Sequence, residues 1–139
     1  MERDTDLAGL AELSDADELL VWCVRSLIAQ RGAWPEVRAE LRRRCSLITC
    51  EAAAHALGRM LDRIGATSPR DLYLHQPHCP CLGEDEVALL GLVARVQRGD
   101  GPGARAAARR LVPESDVALL IADAGMLGDV LAVKDLHVS

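Results

Sequence analysis

Apolar residues recur three and four positions apart along most of the chain, and that spacing belongs to one face of an α-helix rather than to a strand. Ser14-Asp15-Ala16-Asp17 carries the signature of a capping box, and Leu20, Cys23, Val24, Leu27 and Ile28 follow at helical spacing until Gly32. Pro35 suits the first turn of a second helix, in which Trp34, Val37, Leu41 and Cys45 share a face. Thr49 is the expected cap of a third helix, with Cys50, Ala54, Leu57, Leu61 and Ile64 as its stripe and Gly65 as its end. A fourth begins near Gly83, presents Val87, Leu90, Val93 and Val96, and stops at Gly99. Asp100-Gly101-Pro102-Gly103 reads as a loop. A short helix over 104–112 and a last one over about 114–132 complete the series.

Composition agrees with this period. The chain has no Phe, its aromatics are Trp22, Trp34 and Tyr73, and its apolar mass is Leu, Val and Ala, a mixture that favours helices over sheets. A length of 139 residues is one domain's worth, and such a chain buries about two-thirds of its unfolded surface without help from a disulfide or metal. The expected fold is therefore all-α: a single-domain bundle, 1–139, of five or six amphipathic helices. An ordered proline-rich connector at about 66–83 interrupts it, and residues 1–13 are expected to fray.

The net charge of −5 argues against nucleic acid as a partner, which needs a basic surface. The acidic start, Met1 to Asp6, has no apolar core of a signal peptide, and Asp123 and Asp129 interrupt the most apolar late stretch, so neither export nor a membrane is expected. The expected location is cytoplasmic, where the five cysteines would be free thiols or metal ligands. Cys23, Cys45 and Cys50 lie on apolar stripes and read as core.

The remaining thiols stand apart. Leu74-His75-Gln76-Pro77-His78-Cys79-Pro80-Cys81-Leu82-Gly83-Glu84-Asp85-Glu86 sets two imidazoles and two thiols within seven residues, just ahead of a helix. Cys and His are the usual ligands of zinc, and paired thiolates also suit copper(I), so Cys79, Cys81, His75 and His78 form a candidate metal site. Four ligands so crowded are hard to wrap around one tetrahedral ion, and two or three are expected to serve. A redox role is the second reading, because thiols near a helix N-terminus are activated, although the neighbouring acids oppose thiolate formation. A third reading makes both cysteines small packing residues and assigns the acids to the helix dipole.

From Leu74 to Leu90 this stretch resembles small uncharacterised proteobacterial helical proteins with a Cys-containing, proline-rich turn followed by an Asp-Glu pair and a leucine-rich helix. The resemblance implies one helical domain and points to Cys79, Cys81, Asp85 and Glu86 as a family site, without supplying an activity. Gly83 stands where a Ser or Thr cap would be expected.

No nucleophile–base pair, phosphate-binding glycine pattern or cofactor motif accompanies these residues, so catalysis is not expected. The leading functional expectation is a non-catalytic helical interaction module that pairs with itself or with a partner helix; the stripe that ends in Gly125, Gly128 and Leu131 could pack against a second copy as readily as within its own bundle. The alternative is a metal-binding or thiol-redox protein built on His75 to Cys81. General-base chemistry at Asp85 or Glu86 is a weaker third.

Overall fold

The computed structural model describes residues 13–69, 71–76 and 79–139. Among them are six α-helices: α1 (Asp15–Ala29), α2 (Trp34–Arg44), α3 (Leu47–Thr67), α4 (Glu84–Arg98), α5 (Gly101–Leu111) and α6 (Glu114–Val133). A single 3-10 turn, Arg31–Ala33, joins α1 to α2. This is the all-α bundle that the apolar period implies. Residues 1–12 of the expected frayed terminus lie outside the described residues, whereas Leu13 is half-buried against the core.

Local chemistry explains most helix ends. The Ser14 hydroxyl accepts from the Asp17 N–H, and the Asp17 carboxylate accepts from the Ser14 N–H, the reciprocal pair read from the sequence. Gly99 ends α4 with φ of 76°, a left-handed turn that a residue with a Cβ adopts only under strain. Three boundaries differ from expectation: α3 runs past Gly65 to Thr67, and two helix starts move. α3 is capped by Ser46 rather than Thr49, whose N–H donates to the Ser46 hydroxyl from the first turn. α5 begins inside the expected loop, because Asp100 accepts from the Gly103 N–H and Pro102 occupies a first-turn position where no N–H is needed.

α4 packs against α1, α5 and α6, while α3 lies along α6 and receives α2 on its other side. That central place changes the face α4 buries. Ala88, Leu89, Leu90, Leu92, Val93 and Ala94 are all buried, whereas Val87, expected in the core, is exposed. Two charged residues are buried between helices with their partners. Asp123 of α6 accepts from Arg63 Nε of α3 at 2.6 Å, with Arg59 alongside, and Arg25 of α1 meets Glu86 of α4. Gly125 and Gly128 face Val96 and Gln97 of α4, so of the two packings open to that stripe these glycines take the one within the bundle. No helix among the described residues is long and apolar enough to cross a membrane.

The connector runs from Ser68 to Gly83. Leu72 and Leu74 are half-buried against the core, Tyr73 points outward, and Leu82 is fully buried just before α4. The connector is thus pinned at both ends, with its thiols over the first turn of α4.

Candidate metal centre

The centre is built on a residue that the sequence reading passed over. Arg25 follows Asp17 and Val21 at i, i+4 spacing on α1, and this row is buried. Its guanidinium is fully enclosed and uses its planar fork in two directions. Nε donates to Glu86 Oε2 at 2.6 Å and Nη2 to Glu86 Oε1 at 2.8 Å. On the other side Nη1 donates to the Cys79 carbonyl at 2.8 Å and Nη2 to the Cys81 carbonyl at 2.7 Å. A lone basic residue on an apolar helical stripe was the available signal, and its partner lies 61 residues away.

Glu86 answers from the opposite side. Its Oε1 accepts from the Gly83 N–H and its Oε2 from the His75 N–H, both at 2.9 Å. Asp85 accepts from the Tyr73 N–H at 2.8 Å. As first-turn acids of α4, Asp85 and Glu86 are expected from sequence to serve the helix dipole or a family site. Both are buried, at 4% and 2% exposure, and their carboxylates hold the connector's backbone, which leaves neither placed as an open general base. Burial alone would push the Glu86 carboxyl up, but the Arg25 guanidinium and the two N–H donors outweigh it and hold the group below the usual carboxylate value.

With the backbone held in this way, three side chains meet. A turn in which the Cys79 N–H donates to the Gln76 carbonyl folds Cys79 back over His75. His75 Nδ1 lies 3.1 Å from Cys79 Sγ and 3.8 Å from Cys81 Sγ, and the two sulfurs are 3.5 Å apart. All three atoms fall within 4.8 Å of one another. A tetrahedral zinc ion with bonds of about 2.3 Å to sulfur and about 2.0 Å to nitrogen separates its ligands by about 3.8 Å (S···S) and about 3.6 Å (S···N). The observed S···N edges, 3.1 and 3.8 Å, straddle their length, and the S···S edge of 3.5 Å falls a little short of its own. Small side-chain adjustments would therefore seat such an ion. His78, the fourth ligand named from the sequence, lies outside the described residues.

Comparison with known protein families, curated proteins and solved structures finds no match for the chain. Its chemistry must be read from the centre itself.

Gly83 has a reason to replace the expected Ser or Thr cap. A Cβ there would lie 3.0 Å from His75 Nε2, so a cap side chain would crowd the imidazole and push it by a few tenths of an ångström, and Glu86 supplies the capping contact from the third position of α4. Tyr73 stacks edge-on against the other part of the ring, with centroids 5.4 Å apart. The ring is thereby turned with Nδ1 towards the thiols. The Cys79 thiol is lowered to about 7, first by the Cys81 N–H and then by His75, while Cys81 is raised because its proton is shared with the Cys79 sulfur. The pair thus carries a thiolate near neutral pH, the form that binds metal or attacks a disulfide. Cys23 and Cys50 are buried on their helices as expected, and Cys45 is only half-buried because it caps the end of α2.

Proposed function

We propose that this protein binds a single soft or borderline metal ion, zinc in the first instance, through His75 Nδ1, Cys79 Sγ and Cys81 Sγ. The observation that carries the reading is the convergence of one imidazole and two thiols within 4.8 Å, with edges close to those of a tetrahedral ion. Two thiolates would neutralise a divalent ion, and the half-exposed position of all three residues leaves an entry path. The fourth position falls to His78 or to a solvent molecule. Copper(I) is the competing ion, since two thiolates are enough for it. A dithiol exchange role uses the same sulfurs, with His75 helping to hold the Cys79 thiolate, but Cys79-Pro80-Cys81 is not the Cys-x-x-Cys spacing of disulfide oxidoreductases, and for that reason it ranks below metal binding.

The test is elemental analysis of protein purified under reducing conditions without chelator. The expected result is close to one equivalent of zinc per chain, lost in C79S/C81S and in H75A, with an unchanged helical circular dichroism spectrum. H78A separates the two sources of the fourth ligand. Protein that carries no zinc or copper and takes up neither ends the proposal.

The interaction module is the second reading, favoured by a groove of about 470 Å³ on the outer face of α4 and α5. Val87, Ala88, Gly103, Ala106 and Ala107 form its floor, with Glu84 and Arg95 at positions three turns apart along α4. Glu84 already pairs with Arg110 and Arg95 with Asp100, so the apolar floor would be what a second copy covers there. Sedimentation of a strict 15.0 kDa monomer at high concentration would exclude it.

A further inference from the structure

We infer that the buried Arg25–Glu86 pair is the positioning device of the metal centre, and that it makes the loop a site for a tetrahedral ion rather than a pair of thiols open to any thiophilic metal. The inference rests on the metal-binding reading and goes beyond it by naming what sets the coordination geometry.

Each of the three ligand residues is tied through its own backbone to this one pair. Arg25 binds the carbonyls of Cys79 and Cys81, and Glu86 binds the N–H of His75 while gripping the same guanidinium. The links run from the His75 backbone to the carboxylate, to the guanidinium and to the backbones of both thiol residues, and His75 Nδ1 beside Cys79 Sγ closes the circuit. Capping α4 does not require this. The cap needs only the Glu86 carboxylate on the Gly83 N–H and not the guanidinium, and well-packed apolar residues often replace a buried ion pair at no loss of stability. The guanidinium is also the right group for the task, because its rigid planar fork serves a carboxylate and two carbonyls at once, whereas a lysine ammonium is a single point of charge on a flexible stem. Partners that orient ligands in this way typically contribute about 10- to 100-fold to metal affinity.

The geometry favours one class of ion. The sulfurs sit 3.5 Å apart with the imidazole beside them, near the edge of a tetrahedron. A linear two-thiolate copper(I) site would spread them to about 4.6 Å, twice a metal–sulfur bond of about 2.3 Å, and would leave His75 unused. Loss of the clamp should therefore weaken tetrahedral ions far more than copper(I), which needs only two thiols from a flexible loop.

The experiment titrates the full chain with cobalt(II), the visible stand-in for zinc, and with copper(I) against a competing chelator. It compares the wild type with R25K and with R25M/E86L, the latter leaving no unpaired charge in the core should R25K fail to fold. The expected result is cobalt and zinc affinity lower by about 10- to 100-fold in either variant, with weaker tetrahedral cobalt absorption. Copper(I) affinity should stay within about threefold of the wild type, because two thiolates suffice for it. Equal weakening of both metals would assign the pair a purely structural role and overturn the inference, as would unchanged cobalt binding. X-ray absorption of the wild type showing two-coordinate metal with sulfur ligands alone would overturn it without any variant. A wild type that takes up no cobalt at all would instead remove the metal reading, and this inference with it.

Discussion

The five cysteines share a residue type and little else. Burial pushes the Cys23 thiol up to about 12, with Glu40 adding to the shift, and burial likewise raises Cys45 and Cys50. Cys79 moves the other way, to about 7, because the Cys81 N–H and the His75 ring stabilise its thiolate. The thiolate is the reactive form, so alkylation of metal-free native protein near neutral pH should modify Cys79 first and leave Cys23 and Cys50 untouched until unfolding. The sign is fixed by the shift. The Cys79 rate should climb through about pH 7 and level off above it, while the rate at Cys81, whose thiol is raised, goes on rising into the alkaline range. Mass spectrometry of timed alkylation checks both. Equal modification of all five thiols in folded protein would contradict the burial and the thiol pairing together.

At the scale of elements, glycine shows how packing overrides propensity. Gly65 lies within α3 with open space where a Cβ would be, so Gly65→Ala should stabilise the protein by about 0.5–1 kcal/mol through helix propensity alone. Gly128 lies within α6, and there a Cβ would stand 2.9 Å from Cγ of Gln97 on α4. That glutamine cannot retreat freely. Its amide donates to the carbonyls of Gly128 and Leu136 and accepts from the Val138 N–H, fastening the C-terminal segment across the two helices. Gly128→Ala should therefore destabilise by about 1–3 kcal/mol despite the better helix former. Urea unfolding of the two variants should move the midpoint in opposite directions, and a shared direction would mean that α4 and α6 do not approach as described.

For the whole molecule the central question is whether the fold would need the proposed metal ion. The buried core runs through all six helices from Ala16 to Leu131, and the three ligand residues are not part of it. Ions that create their own fold do so in chains too small to build such a core. A chelator should thus leave the helical spectrum and a cooperative melt intact, lowering the midpoint only by the mass-action contribution of the lost ion. Collapse of the cooperative transition on chelation would show that the connector, rather than the apolar helix faces, holds the bundle together.

The division between chain and fold follows from the range of the forces involved. Helix positions are legible because their causes lie within a turn or two: the period of Leu, Val and Ala, the Ser14–Asp17 box, Pro35 near the start of α2 and Gly99 after α4. The ligand candidates are legible for the same reason, since His75, Cys79 and Cys81 are neighbours in sequence. Which of them converge is not. That depends on Arg25 arriving from α1 to bind two carbonyls, and on Glu86 turning inward as α4 sinks into the centre of the bundle. A charge on an apolar stripe looks like a flaw until the opposite charge, 61 residues on, is brought against it. Hydrophobic period specifies each helix alone, but only the packing of α1 on α4 excludes water from both charges. That exclusion turns residue types usually found at the surface into a buried pair that holds the backbone of His75, Cys79 and Cys81.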